Sequence, residues 1–336
     1  MKNTLIIGDI HGCFTELLAL LDKVGLGEED AVIGIGDIVD RGPETPQVVD
    51  YFRKTPNTMA IMGNHERKHM RAARHEVKLS LSQQISQAQF GAAYQEALGW
   101  MSALPLYIEL EQAIVVHGYF EPSIALEQQN PSVLCGTMGG EHILRQRYDR
   151  PWYELYDADK PVIVGYYNYT HTDQPFIYQD KVFGLDTDCV TGKALTGILL
   201  PSFRFVSVPS RGNLWMQVRR TYYAAKPKPA ARLVSAAAAW TEEQDKELNF
   251  LYQKLQEANM RVISQVQGIP GYQDLTPRQQ SRLYSEMVGQ GVMQNLLHLT
   301  RMGKLDIELM RKIVHDPGQL SLLIEKATKI ANGMIL

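Results

Sequence analysis

Thr4-Leu5-Ile6-Ile7-Gly8-Asp9-Ile10-His11-Gly12 opens the chain on a short apolar run that stops at a glycine and then presents an aspartate and a histidine two residues apart. A run of this length, closed by glycine, predicts a buried strand over residues 4–7. Leu17, Leu18, Leu20, Leu21 and Val24 follow at a spacing that marks one face of a helix. The pattern then repeats. A second apolar run at 31–35 is closed by Gly36-Asp37, a helix is predicted over 45–52, and a third run at 59–62 is closed by Gly63-Asn64. Strand and helix alternating through short connections is the signature of an α/β layer.

Working outward, Val115-Val116 leads into His117, and Val162–Val164 leads into Gly165. Between these runs lie a long helical stretch at about 65–103 and a Tyr- and Arg-rich insert at about 131–160. Residues 174–208 read as strands and turns, namely 176–178, 182–183, 195–200 and 203–208. A β-rich end after an α/β start predicts a second sheet that completes a sandwich. The composition changes after Tyr223, where Ala224-Ala225-Lys226-Pro227-Lys228-Pro229-Ala230-Ala231 reads as an exposed linker. Beyond it the pattern is helical: Thr241 with Gln244 has capping-box spacing, and Leu248, Leu251 and Leu255 line one face. Thr276-Pro277 places proline at the favoured first position of a helix, and shorter helices are predicted near 306–314 and 318–332. The expected division is a catalytic domain over 1–222, a linker over 223–239 and an all-α C-terminal region over 240–336.

The 336 residues are 45% hydrophobic and 21% charged, an ordinary globular balance. A formal net charge of −3 gives no electrostatic footprint for nucleic acid or an anionic membrane, so neither is an expected partner. Cys13, Cys135 and Cys189 fall in no CxxC pattern and read as reduced thiols. With no apolar segment approaching a membrane span and no signal-peptide pattern at the start, the expectation is a cytoplasmic protein. Nothing in the pattern marks an oligomeric state.

The chemistry lies in the residues that close the strands. Asp9 and His11 project toward one point, and a carboxylate with an imidazole suits Zn, Fe or Mn better than Ca or Mg. In Gly36-Asp37-Ile38-Val39-Asp40-Arg41-Gly42-Pro43, Asp37 stands at a strand end, where one carboxylate can bridge two cations. Arg41 offers a planar fork of donors for phosphate oxygens. Gly63-Asn64-His65-Glu66 adds a neutral amide oxygen and a histidine free for proton transfer, and His117 closes yet another strand. Taken singly, each unit is more often a cap or a turn. Four such units, each after an apolar strand and each with a metal-compatible side chain, form one constellation. His69 and His75, farther along the Asn64 helix, read as solvated or as lining a rim.

Together, Gly8-Asp9-Ile10-His11-Gly12, Gly36-Asp37-Ile38-Val39-Asp40-Arg41-Gly42 and Gly63-Asn64-His65-Glu66 resemble the phosphoprotein phosphatase family of calcineurin-like metallophosphoesterases. His117-Gly118 and Gly184-Leu185-Asp186-Thr187 sit where that family has related motifs, and the resemblance covers about residues 1–210. It implies a sandwich of two mixed sheets flanked by helices, with two divalent cations, manganese foremost and iron or zinc compatible. Asp9, His11 and Asp37 would hold the first, and Asp37, Asn64 and His117 the second. Arg41 would grip the phosphoryl group, and His65, oriented by Asp40, would protonate the leaving oxygen. Two cations about 3.5–4 Å apart can deprotonate a bridging water for in-line attack.

One position departs from the family pattern. A metal-binding histidine is expected after the strand at 162–164, and Tyr166 stands there. Three readings follow: a second site one ligand short, His171 reaching back to complete it, or Tyr166 binding as phenolate. The leading functional expectation is a serine/threonine phosphomonoesterase acting on phosphorylated protein. A dinucleoside tetraphosphate or RNA-end phosphatase is the alternative, since loops and not the metal site choose the substrate. A non-catalytic binding protein is a third reading, resting on Tyr166 alone.

Overall fold

Adjacent residues of each central strand enter different cores, which makes the strands apolar without interruption. In β1 (Thr4–Ile7), Leu5 and Ile7 face a helical layer while Ile6 faces a second sheet. In β2 (Ala31–Gly34), Val32 and Ile33 divide the same way. A sheet covered on both faces reads as a continuous hydrophobic run, as the pattern predicted. The structure, a computed structural model, describes residues 2–225, 240–275, 277–288, 291–314 and 316–333.

After α1 (Phe14–Val24) and β2 come α2 (Thr45–Lys54), β3 (Thr58–Ala60) and α3 (Asn64–Ala73). The helical stretch continues as α4 (Leu81–Phe90) and α5 (Tyr94–Ser102), followed by β4 (Tyr107–Glu109) and β5 (Ile114–Val116). The insert holds α6 (Pro131–Leu134), α7 (Met138–Arg147) and α8 (Trp152–Leu155). β6 (Val162–Val164), β7 (Phe176–Tyr178), β8 (Val182–Gly184), β9 (Ala194–Leu200), β10 (Arg204–Pro209) and α9 (Leu214–Ala225) complete this unit. One sheet has the order β10-β9-β1-β2-β3 and the other β4-β5-β6-β8-β7. Both are mixed: β1, β2 and β3 are parallel, as are β5, β6 and β8, while β9, β10, β4 and β7 pair antiparallel.

Two expectations need correction. The late strands do not form the second sheet together. β9 and β10 extend the first sheet beside β1, and only β7 and β8 join the second. Long-range pairing of Ile6 with Ile198 decides this, and no local pattern encodes it. Leu18 is 47% exposed, because α1 buries a narrow stripe of Glu16, Leu17 and Leu20 against the first sheet.

Ile6, Ile33, Val115, Ile163, Phe183 and Ile198 are among the residues that fill the space between the sheets. α1, α2 and α5 cover the outer face of the first sheet through Leu17, Val48, Phe52 and Met101. Trp152 and Tyr156 of the insert pack in the core outside the second.

The described residues fall into two compact units, one within 2–225 and one within 240–333. α9 runs to Ala225, three residues into the stretch read as linker, and residues 226–239, with the Ala-rich stretch at 236–239, lie outside the described residues. The second unit begins with α10 (Glu242–Gln267), whose Thr241 side chain accepts from the Gln244 N–H in a complete capping box. Leu248, Leu251, Leu255, Ala258 and Val262 line its buried stripe. α11 (Pro277–Val288), α12 (Val292–Arg301), α13 (Ile307–Ile313) and α14 (Leu320–Ala331) close a second core around it. Among the described residues no helix is long and apolar enough to cross a membrane.

Candidate active site

Parallel strands direct their carboxyl ends to the same rim, and the loops after them carry the polar residues. The loop after β1 supplies Asp9 and His11, that after β2 supplies Asp37, Asp40 and Arg41, and β3 leads into Asn64 and His65. From the facing sheet, β5 delivers His117, β6 Tyr166 and β8 Asp186. The loops approach so closely that a Cβ on Gly36, whose φ is +96°, would lie 2.7 Å from His117 Nδ1 and 2.8 Å from the Gly63 nitrogen. Side-chain-bearing residues are also strained here. His11, Asp37, Asp40, Arg41 and Tyr166 have φ of 47°, 46°, 75°, 66° and 66°, values that persist only where surrounding structure enforces them.

Glu66 is one enforcer. Its buried carboxylate accepts from the backbone N–H groups of Asp37, Ile38, Val39 and Gly63 at 3.0, 2.8, 3.0 and 2.9 Å. One side chain thus ties the β2 loop to the start of α3. Glu66 belongs to a quoted motif, yet its tie to the β2 loop was not legible there, because three of its four partners lie 27–29 residues away.

Asp37 is the centre of the site. Its Oδ2 lies 3.3 Å from His11 Nε2, and its Oδ1 lies 3.3 Å from His117 Nε2. Both imidazoles are held in one tautomer, since Nδ1 of His11 donates to the Val39 carbonyl at 2.8 Å and Nδ1 of His117 to the Ile35 carbonyl at 2.9 Å. A carbonyl accepts only, so Nε2 of each ring keeps its lone pair. Burial lowers the pKa of both rings, His11 well below the ordinary value, and keeps them neutral. Among the described residues two groups have ligand atoms all within 4.8 Å of one another: His11, Asp37 and His65, and Asp9, Asp37 and His117. Asp37 belongs to both, the position a bridging carboxylate needs. The grouping differs from the resemblance in setting Asp9 beside His117 and His65 beside His11.

The electrostatics suit a cation. Burial, Asp186 and Asp37 push the Asp9 carboxyl well above the usual range. Burial pushes Asp186 up to about 6. Burial also opposes ionisation of Asp37, but the polar groups around it, the Arg41 cation among them, hold it down to about 2. Asn64 Oδ1 is 3.1 Å from His117 Nε2 and faces only acceptors, a donor set that a cation would satisfy. Turned end for end, the amide would instead donate to His117 Nε2 and to both Asp37 oxygens at 3.1–3.2 Å. Carboxylates, neutral imidazoles and an amide oxygen together fit Mn, Fe or Zn. Asp186, in a quoted motif without an assigned role, shows the same strand-end position as Asp9 and Asp37, and that was its signal.

Arg41 lies across the mouth of this cluster, with Nη1 2.8 Å from His11 Nε2 and Nη2 3.0 Å from His65 Nε2. His65 Nδ1 donates to Asp40 Oδ2 at 2.6 Å. Two arginines of the insert are paired elsewhere: Arg147 with Glu121, and Arg145 with Glu141 on its own helix.

Tyr166 donates its backbone N–H to Asp9 Oδ1 at 3.0 Å, and its ring packs edge-on to His117 and Tyr119 at 5.8 and 5.2 Å. Burial raises the pKa of its phenol, which disfavours the phenolate that a metal would need. His171 is exposed, 5.8 Å from the Tyr167 ring, and belongs to neither convergent group. The expectation for His69 is also corrected. Rather than solvated, it is fully buried, while His75 is exposed.

A family model described as calcineurin-like phosphoesterase matches residues 2–181. The chain is 30% identical over 251 residues to a bis(5'-nucleosyl)-tetraphosphatase (asymmetrical), PrpE, of Halalkalibacterium halodurans, a match that covers 65% of this chain and 98% of that protein. A protein of the same description from Bacillus subtilis is 28% identical over 232 residues, covering 61% of this chain and 93% of its own. A crystal structure described as that of a candidate diadenosine tetraphosphatase shares the fold with a TM-score of 0.51 at 23% identity, over 62% of this chain and 94% of that one.

Proposed function

The chain belongs to the calcineurin-like phosphoesterases and is a hydrolase of phosphoesters, and from that premise we propose that it cleaves a dinucleoside tetraphosphate with the help of two divalent cations. What supports this substrate is the description shared by relatives that align along more than nine-tenths of their own length. The leading expectation from the motifs, a serine/threonine phosphatase, becomes the alternative, because the motifs carry the reaction and not the substrate.

The reaction itself rests on one observation, the membership of Asp37 in both convergent groups. Asp9, His11 and Asp37, with Asn64 and His117, would hold the cations, manganese being the proposed metal. When bound, such a pair activates the attacking water and neutralises charge on the phosphoryl oxygens. The chain supplies the rest. Arg41 presents two donors of a rigid fork, which would leave the His11 and His65 nitrogens to clamp phosphate oxygens. His65 faces the same cleft, with Asp40 fixing its far nitrogen, and would give a proton to the leaving oxygen from Nε2. Strained, preorganised loops spare these groups reorganisation during the reaction.

The test is chromatographic. With manganese, diadenosine tetraphosphate should be cut asymmetrically into a nucleoside triphosphate and a monophosphate, faster than a phosphoserine peptide is dephosphorylated. Turnover of the peptide alone would return the substrate to phosphorylated protein. Loss of both activities on chelation, and recovery with manganese, checks the metal requirement.

A further inference from the structure

Behind the candidate acid lies a chain of buried polar groups, of which His69, Gln83 and Tyr94 lie outside the motifs. Asp40 is fully buried and uses both carboxylate oxygens. Oδ2 accepts from His65 Nδ1 at 2.6 Å and from the Gln83 amide, and Oδ1 accepts from His69 Nε2 at 2.9 Å. His69 is itself fully buried, and its Nδ1 lies 2.8 Å from the Tyr94 hydroxyl. His65 and His69 are four residues apart on α3, so both project from one helix face and straddle the same carboxylate. Nε2 of His69 donates to the carboxylate, and a neutral ring then accepts at Nδ1 from the Tyr94 O–H. The chain Tyr94–His69–Asp40–His65 is satisfied at every atom it uses.

We infer that His69 is a positioning residue for His65, acting through Asp40. A buried carboxylate held on one oxygen alone could turn about its Cβ–Cγ bond and would leave an unpaired acceptor in the core. The Asp40 backbone, at φ 75°, is strained and would not by itself hold the side chain in place. With Oδ1 tied to His69, Oδ2 is aimed at His65 Nδ1. That bond in turn aims His65 Nε2 into the cleft, 3.8 Å from Asp37 Oδ2. Hydrogen bonds from His65 and His69 also overcome the burial of Asp40 and hold its carboxyl well below the usual range. The group therefore stays an acceptor and leaves the proton on the imidazole.

This inference rests on the reading of His65 as the acid, and a leaving-group comparison separates the two. p-Nitrophenolate leaves p-nitrophenyl phosphate without a proton, whereas the more basic phenolate of phenyl phosphate needs one. Full-length protein carrying His69→Leu, loaded with manganese, should lose about 10-fold or more in kcat on phenyl phosphate and little on p-nitrophenyl phosphate. His69→Gln, which keeps an N–H near Oδ1, should recover most of that loss. Tyr94→Phe, which retains the ring packing, should show the same split at about 3-fold and stands in if His69→Leu does not fold. Equal losses on both substrates, or none, would overturn the inference. His65→Asn is the control: if it shows the split and the His69 and Tyr94 variants do not, only the positioning role fails. If His65→Asn shows no split, the reading of His65 as acid fails with it.

Discussion

The two units store their polar groups in opposite ways. The helical unit follows local rules. α10 has a complete capping box and a leucine stripe at helical spacing, and one of its buried polar contacts is the Tyr284 hydroxyl on Asn259 at 2.6 Å. Among the described residues, every non-glycine with positive φ lies at or before Phe203, in the other unit. That unit buries Asp9, His11, Asp37, Asp40, His65, Glu66, His69 and His117 on its strand-end rim and in the loops and helix behind it. Buried charge and backbone strain oppose folding, and they persist where a well-packed scaffold over-determines them. Where a sequence breaks local rules at several neighbouring positions, the reason is chemistry.

This contrast predicts that the units fail differently. Asp37→Asn should lower kcat/KM for p-nitrophenyl phosphate by about 10³-fold while circular dichroism shows a folded protein. Unfolding instead would make Asp37 a structural group and end the contrast. Leu255→Ala, in a fully buried stripe, should cost the helical unit about 3 kcal/mol in denaturant melts and leave cation affinity unchanged. A coupled loss of cation affinity would show that the units are not independent in this respect. A smaller effect is expected at the position that departs from the family pattern. Tyr166→His should tighten the weaker of two cations by about 10-fold in titration calorimetry, and an unchanged isotherm would mean that the site is complete without it.

The smallest effect is a pH shift. Asp9 and Asp186 bind protons more tightly than ordinary carboxyls, with Asp186 near 6, while the ligand imidazoles are neutral. Cation affinity should therefore fall as pH drops through the raised range of the Asp9 carboxyl, where a proton competes for that ligand. Asp186→Asn removes a negative neighbour of Asp9, lowers the Asp9 pKa and should move that midpoint down by about one pH unit. A midpoint unmoved by the variant would assign the competition to another group.

The particular residues show why some of this was legible. Asp9, Asp37, Asn64 and His117 could be found because each follows an apolar run, and a strand's end is a local event. Asp186 gave the same signal and received no role. Leu18 was placed on the buried face because spacing fixes which residues share a face, whereas the width of the buried stripe depends on what packs against it. β9 was assigned to the wrong sheet because pairing across 190 or so residues leaves no periodicity behind. His69 reads as solvated or rim-lining because a histidine among Arg and Lys looks like surface, whereas contacts with α4 and α5, through Gln83 on Asp40 and Tyr94 on His69, surround it.

By itself, the sequence determined the strands that lead into the site, though not β4, together with the capping of α10 and the set of metal-compatible side chains, since all of these follow from residue type and short-range spacing. Tertiary structure alone decided that Asp37 is shared, that Glu66 ties two loops together and that Tyr94 and His69 stand behind Asp40. Each of those depends on bringing groups from separate elements within hydrogen-bonding distance, and the energy of such contacts is set by burial, which no local stretch of chain contains.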